Sequence, residues 1–238
     1  MSTLLFDKED KVSEIVIKFP KASDYFRDHK IDFCCGGNRP LQEALEERGL
    51  ELNRVLDELH HLADNHAGLD HNQGESNVYV EMDSATLIHY IVSKHHDYLR
   101  EELPEIQKNV TKVNRVHGHH DLHLVEVEEL YTALKSELLE HTTKEEIEIF
   151  PQMMTWDETQ DSSSGNKLRK AISGLEGEHD EAGNILKKLR EITNDFTPPV
   201  NACTTYRLTY ERLAELERMT YEHVHLENNI LFPRYPQA

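Results

Sequence analysis

Cysteine is scarce in this chain, with only Cys34, Cys35 and Cys203 among 238 residues. Two are adjacent and the third is distant, so no disulfide framework can be drawn and a reducing compartment fits the usage. No apolar run approaches the length of a membrane span, and the opening Met1-Ser-Thr-Leu-Leu-Phe6 lacks the basic stretch of a secretory signal, so the cytoplasm is the expected location. Positive charge is also short: 26 Lys and Arg against 45 Asp and Glu give a formal net charge of −19. A field of that sign repels phosphate backbones and anionic lipid headgroups, which excludes nucleic acid and membranes as partners. Cations and basic protein patches suit it better. What the chain has in excess is histidine, 16 in all, and the acidity does not explain them.

Some of those histidines belong to a pattern written twice. His141 is followed by Glu145 and then Phe150-Pro151, and His223 is followed by Glu227 and then Phe232-Pro233 at the same offsets. Residues four apart on a helix share a face, so each copy presents an imidazole and a carboxylate in one direction. His96-Asp97 precedes the first copy and His179-Asp180 the second at nearly equal distance. The chain therefore reads as a duplicated helical hairpin with two histidines and one glutamate per copy.

The expected fold is all-α. Residues 1–63 read as a small domain of short helices punctuated by Pro20, Gly36-Gly37, Pro40 and Gly49, with apolar spacing at Ile15, Ile17 and Phe19 and then at Leu52, Val55, Leu56 and Leu59. Residues 64–82 are polar and glycine-containing and read as a linker. Residues 83–238 are expected to form an antiparallel four-helix bundle, with helices near 84–116, 121–155, 166–195 and 202–231. The apolar stripe of the first is Ile88, Val92, His96, Leu99, Leu103, Ile106, with Pro104 expected to kink it; in the second it is Leu130, Leu134, Leu138, His141, Glu145, Ile149. The third runs through Leu168, Ile172, Leu175, His179, Ala182, Leu186 and Leu189, and the fourth through Leu213, Leu216, Thr220, His223, Glu227 and Ile230. Gly118, Ser162-Ser-Ser-Gly165 and Pro198-Pro199 are expected in the connections.

A lone histidine on an apolar face is usually a satisfied core residue, and a single His-x-x-x-Glu is usually a surface pair. Here four histidines and two glutamates replace apolar residues on four consecutive inward stripes, and burying them without partners would cost several kcal/mol each. A metal pair satisfies the whole set. Imidazole and carboxylate without thiolate suit iron, manganese or zinc, and six ligands exceed what one structural zinc needs. If both carboxylates bridge, each ion receives two nitrogens and two oxygens; an oxo or hydroxo bridge adds a fifth donor and leaves one octahedral position open. Carboxylate-rich di-iron bundles use Glu-x-x-His with more glutamates, so this nitrogen-rich set is a different class.

A bundle of this kind resembles the hemerythrin-like family. With Asp32-Phe-Cys-Cys-Gly-Gly37 in front of it, the chain resembles the bacterial iron–sulfur cluster repair di-iron proteins, the RIC family. The similarity runs through Lys144-Glu145-Glu146, Glu178-His-Asp-Glu-Ala-Gly183, Thr197-Pro-Pro, Ala202-Cys-Thr-Thr205 and Leu226-Glu-Asn-Asn-x-Leu-Phe-Pro233. The resemblance implies two iron ions held by His96, His141, Glu145, His179, His223 and Glu227, the set that the stripes select, with His96 preferred to His95. It also implies a role in repairing iron–sulfur clusters damaged by oxidants or nitric oxide, with damaged iron–sulfur proteins as clients and iron supply as the act. Two alternatives stand beside it: a di-iron nitric oxide reductase, and a non-enzymatic carrier or sensor of dioxygen or nitric oxide. Whether the chain is an enzyme stays open, as does a homodimer.

Cys34 and Cys35 admit two readings. One is a pair of small apolar core residues; the other, favoured by the resemblance, is a thiol site for iron, nitric oxide or a client. Adjacent thiols are not expected to share one metal easily, and a bond between them would strain the peptide. The flanking glycines permit a tight turn. Cys203 reads as structural. His119, His120 and His123, in His117-Gly-His-His-Asp-Leu-His123, form the competing metal candidate but read as a solvated turn without a partner elsewhere. His60, His61, His66, His71 and His225 read as exposed or ordinary.

Overall fold

The computed structural model describes residues 6–67 and 78–236. Most of the expected linker, including His71, lies outside them, as does the side chain of His66. The described residues are helical and contain no strand, only an isolated bridge between Lys11 and Pro40. Contacts divide the chain into two units, one made of residues up to Leu87 with Val224–Arg234, the other of Ile88–His223 with the residues from Tyr235 on.

In the first unit, α1 (Val12–Lys18), α2 (Ala22–Asp28), α3 (Leu41–Arg48) and α4 (Leu52–Ala67) bury Val12, Ile15, Val16, Phe26, Leu41, Leu45, Val55 and Leu59; a short α5 (Val78–Glu81) follows. The alternation of Ile15, Ile17 and Phe19 misleads here. The segment is a helix, so Val16 turns inward and Ile17 stays half-buried. Gly49 ends α3 in the left-handed conformation, φ 65°, which lets the Leu50 amide reach back to the Leu45 carbonyl at 3.0 Å.

From Ser84 on, the chain folds into long helical runs: α6 (Ser84–Ile91) into α7 (Asp97–His117), α8 (His123–Lys144) into α9 (Phe150–Thr159), α10 (Ser162–Ile192), and α11 (Thr204–Leu226). Leu99, Leu103, Ile106, Tyr131, Leu134, Leu138, Leu186, Leu189, Leu213 and Leu216 form one continuous core between them. Three of the runs are interrupted by a π turn, at Val92–His96, Glu145–Ile149 and Glu227–Leu231. A π turn inserts a residue and rotates the face that follows it. Consequently the first run buries Leu87 and Ile91 ahead of the turn, where the stripe had placed Ile88 and Val92, and rejoins the stripe at His96 and Leu99. Pro104 lies inside the helix α7, which continues through it to His117. Ser162-Ser-Ser-Gly165 is not a connection but the first turn of α10, because the Asp161 carboxylate accepts the Ser164 amide at 2.8 Å and starts the helix there.

Candidate metal centre

His96 closes the first π turn, His141 lies three residues before the end of α8, and Glu145 opens the π turn that follows. His179 comes from the middle of α10, and His223 from the last turn of α11; Glu227 lies one turn further along the same helical run. All six side chains are buried. Their ligand atoms form two groups, each lying within 4.8 Å: His96, Glu145, His223 and Glu227 in one, and His141, Glu145, His179 and Glu227 in the other. Both glutamates belong to both groups.

The distances are those of ligands that converge. His96 Nε2 lies 3.1 Å from His223 Nε2, and His141 Nε2 lies 2.9 Å from His179 Nε2. Two nitrogens bound at right angles to one metal at ~2.1 Å stand about 3.0 Å apart. The Glu145 oxygens lie 3.4 Å from His96 Nε2, 3.3 Å from His141 Nε2 and 4.0 Å from His223 Nε2, yet neither accepts a hydrogen bond. A fully buried carboxylate facing imidazoles of both groups without a hydrogen bond is suited to a bound cation, so the residues present fit a metal.

The second ring nitrogens point to carboxylates. His96 Nδ1 donates to Glu146 at 2.8 Å, and Arg100 donates to the same carboxylate at 2.6 Å. His141 Nδ1 donates to Glu178 at 2.7 Å, with Lys144 on the other oxygen. Each carboxylate fixes the tautomer that turns the Nε2 lone pair inward, for one histidine of each group. Burial alone would raise the acids, but Arg100 and His96 hold the Glu146 carboxyl below the usual range, and Lys144 and His141 do the same for Glu178. Both stay ionised and able to accept.

The hemerythrin HHE cation binding domain matches residues 87–235, and a domain of unknown function named ScdA_N matches residues 8–63. The iron-sulfur cluster repair protein ScdA of Staphylococcus haemolyticus is 36% identical over 231 residues, 97% of this chain and 100% of the relative. The iron-sulfur cluster repair protein YtfE of Escherichia coli O81 is 35% identical over 227 residues, 95% and 96%. The chain belongs to the ScdA and YtfE family of hemerythrin-domain proteins.

The second ring of carboxylates was not legible as such from composition or stripe. The signal was adjacency: Glu146 follows Glu145, Glu178 precedes His179, and Arg100 and Lys144 stand four and three residues after a histidine of the set. His95, next to His96, is also buried, but it stacks on the His223 ring at 5.6 Å and belongs to neither ligand group. The competing histidines join no metal group among the described residues. His119 and His120 are exposed. His123 Nε2 shares a hydrogen bond with Tyr210 Oη at 2.8 Å, so it has the distant partner that the sequence did not reveal.

Two further expectations change. His225, read as exposed or ordinary, is buried; burial pushes its imidazole down to about 4, keeping it neutral. Cys203, read as structural, is exposed and lies 3.4 Å from His117 Nε2. Cys34 is buried and Cys35 half-buried, in a turn held by one carboxylate: Asp32 Oδ1 accepts the amides of Cys34, Cys35 and Gly36 at 3.2, 3.0 and 3.0 Å. Gly37 closes the turn against the Phe33 carbonyl, where an added Cβ would lie 2.2 Å from the oxygen. His60 accepts the Phe6 amide at 3.0 Å, and His61 is exposed.

Proposed function

We propose that the chain is a di-iron protein that supplies iron to damaged iron–sulfur proteins. The observation that carries the reading is the sharing of Glu145 and Glu227 between two imidazole pairs, which supports two ions rather than one. His96 and His223 would hold one iron, His141 and His179 the other, with both carboxylates and an oxo or hydroxo group between them. Such a pair would supply redox-active, exchangeable iron. The residues then set how firmly it is held: nitrogen and carboxylate donors bind ferrous iron less tightly than a closed thiolate cage, which favours release.

The ScdA and YtfE relatives, named for iron–sulfur cluster repair and aligned over nearly the whole chain, support the repair role. No helix among the described residues is long and apolar enough to cross a membrane. The organisation that goes with this reading is a small N-terminal domain over 1–63 carrying Cys34 and Cys35 as a thiol site, a linker over 64–82 and the metal-binding bundle over 83–238. The test loads the full chain with iron, measures two irons per chain, and follows recovery of an iron–sulfur enzyme damaged by nitric oxide. Iron lost from the bundle in proportion to clusters restored is the expected result. Restoration without iron loss, or catalytic consumption of nitric oxide in its place, would remove the iron-supply reading.

A further inference from the structure

Asp32, Cys34 and Cys35 bring a carboxylate oxygen and two sulfurs within 4.8 Å of one another, and none of the three belongs to the bundle's two ligand groups. The Sγ atoms of Cys34 and Cys35 are 3.8 Å apart, and Cys34 Sγ lies 3.5 Å from Asp32 Oδ1. Two thiolates bound to one tetrahedral ion at ~2.3 Å stand about 3.8 Å apart, and a thiolate and a carboxylate oxygen about 3.6 Å apart. The expectation was that adjacent thiols would not easily share one ion, yet in this turn the two sulfurs stand at the spacing a shared ion would require.

The turn is also held in place without an ion. Asp32 gathers three consecutive amides. From the other side Asn229 Nδ2 donates to the Cys34 carbonyl at 2.9 Å, while the His225 ring packs edge-on against Phe33 at 5.7 Å. Gly37 allows the close approach that closes the loop. Cys34 faces inward and Cys35 is half-buried, so an ion held by the three donors would keep one coordination position toward solvent. Thiolate with carboxylate selects a borderline or soft divalent ion over magnesium or calcium.

We propose that Asp32, Cys34 and Cys35 form a mononuclear site for a thiophilic divalent cation, zinc or ferrous iron, with its fourth position open to an incoming ligand. This site shares no ligand with the di-iron set, so it stands or falls independently of the repair reading. The test titrates the full chain anaerobically with Co²⁺ under a phosphine reductant and reads sulfur-to-cobalt charge transfer. Only a thiolate site gives that band, whereas the nitrogen and oxygen donors of the bundle cannot. One equivalent with a thiolate band is expected, lost in Cys34→Ser and in Cys35→Ser, weakened at least tenfold in Asp32→Asn and unchanged in Cys203→Ser. Zn²⁺ should displace the cobalt and slow alkylation of Cys35. Absence of the band, its survival in Cys35→Ser, or its loss in Cys203→Ser would overturn the proposal. Because Cys35 is only half-buried, its serine variant decides the matter if Cys34→Ser fails to fold by circular dichroism.

Discussion

At the scale of single residues, neighbouring glutamates in one short segment do different work. Glu145 faces two imidazole pairs, Glu146 orients His96, and Glu148 is exposed. Glu145→Ala should therefore reduce bound iron and alter its spectrum, whereas Glu148→Ala should leave both unchanged; elemental analysis beside the absorption spectrum checks this. Equal iron and equal spectra in the two variants would remove the bridging role from Glu145. Glu146→Gln and Glu178→Gln retain size but lose the anion that fixes an imidazole. They should weaken metal binding by roughly 10- to 100-fold, read in a chelator competition. His119→Ala and His120→Ala should leave metal content as it was, since both rings are exposed and belong to neither ligand group.

At the scale of elements, α10 and α11 are tied by a buried ion pair as well as by their apolar core. Arg190 Nε donates to Glu217 Oε1 at 2.8 Å, a second guanidinium nitrogen binds the other oxygen, and the guanidinium lies 5.2 Å from the Phe196 ring centre. Glu217 is fully buried, so Arg190→Ala leaves an uncompensated charge and should destabilise the bundle by about 3–5 kcal/mol in chemical denaturation. The double variant Arg190→Met, Glu217→Leu should recover much of that loss, because the desolvation penalty disappears with the charges. The start of α10 gives a pH test. The Ser164 amide holds the Asp161 carboxyl below its usual range, so its contribution is present above the unfolded value of about 3.9 and is lost as pH falls through the lower folded value. Asp161→Ala should lower the melting temperature at neutral pH and converge with the parent in strong acid; a difference that persists unchanged there would mean that the cap's charge is irrelevant.

At the scale of the whole molecule, a metal that binds only the folded chain adds to its stability, so chelation should lower the melting temperature and reloading should restore it. The sequence by itself determined the all-α class and, in the first helix only from His96 on, the inward stripes, because apolar period and paired His and Glu spacing are local properties written along each helix. It also singled out the six residues that the fold gathers, since polar groups set into an apolar stripe stand out without any knowledge of their neighbours. The inward phase ahead of His96 was not legible, because the π turn that rotates it leaves no composition signal: Leu87 and Ile91 turn inward where Ile88 and Val92 were expected. Nor were the distant pairings legible, among them Glu146 with His96, Glu178 with His141, His123 with Tyr210 and Asn229 with the Cys34 carbonyl. Those depend on which helix faces which and on the angle at which a side chain leaves it. Only the tertiary structure decided them, because a hydrogen bond is fixed by tenths of an ångström between groups that the chain keeps tens of residues apart.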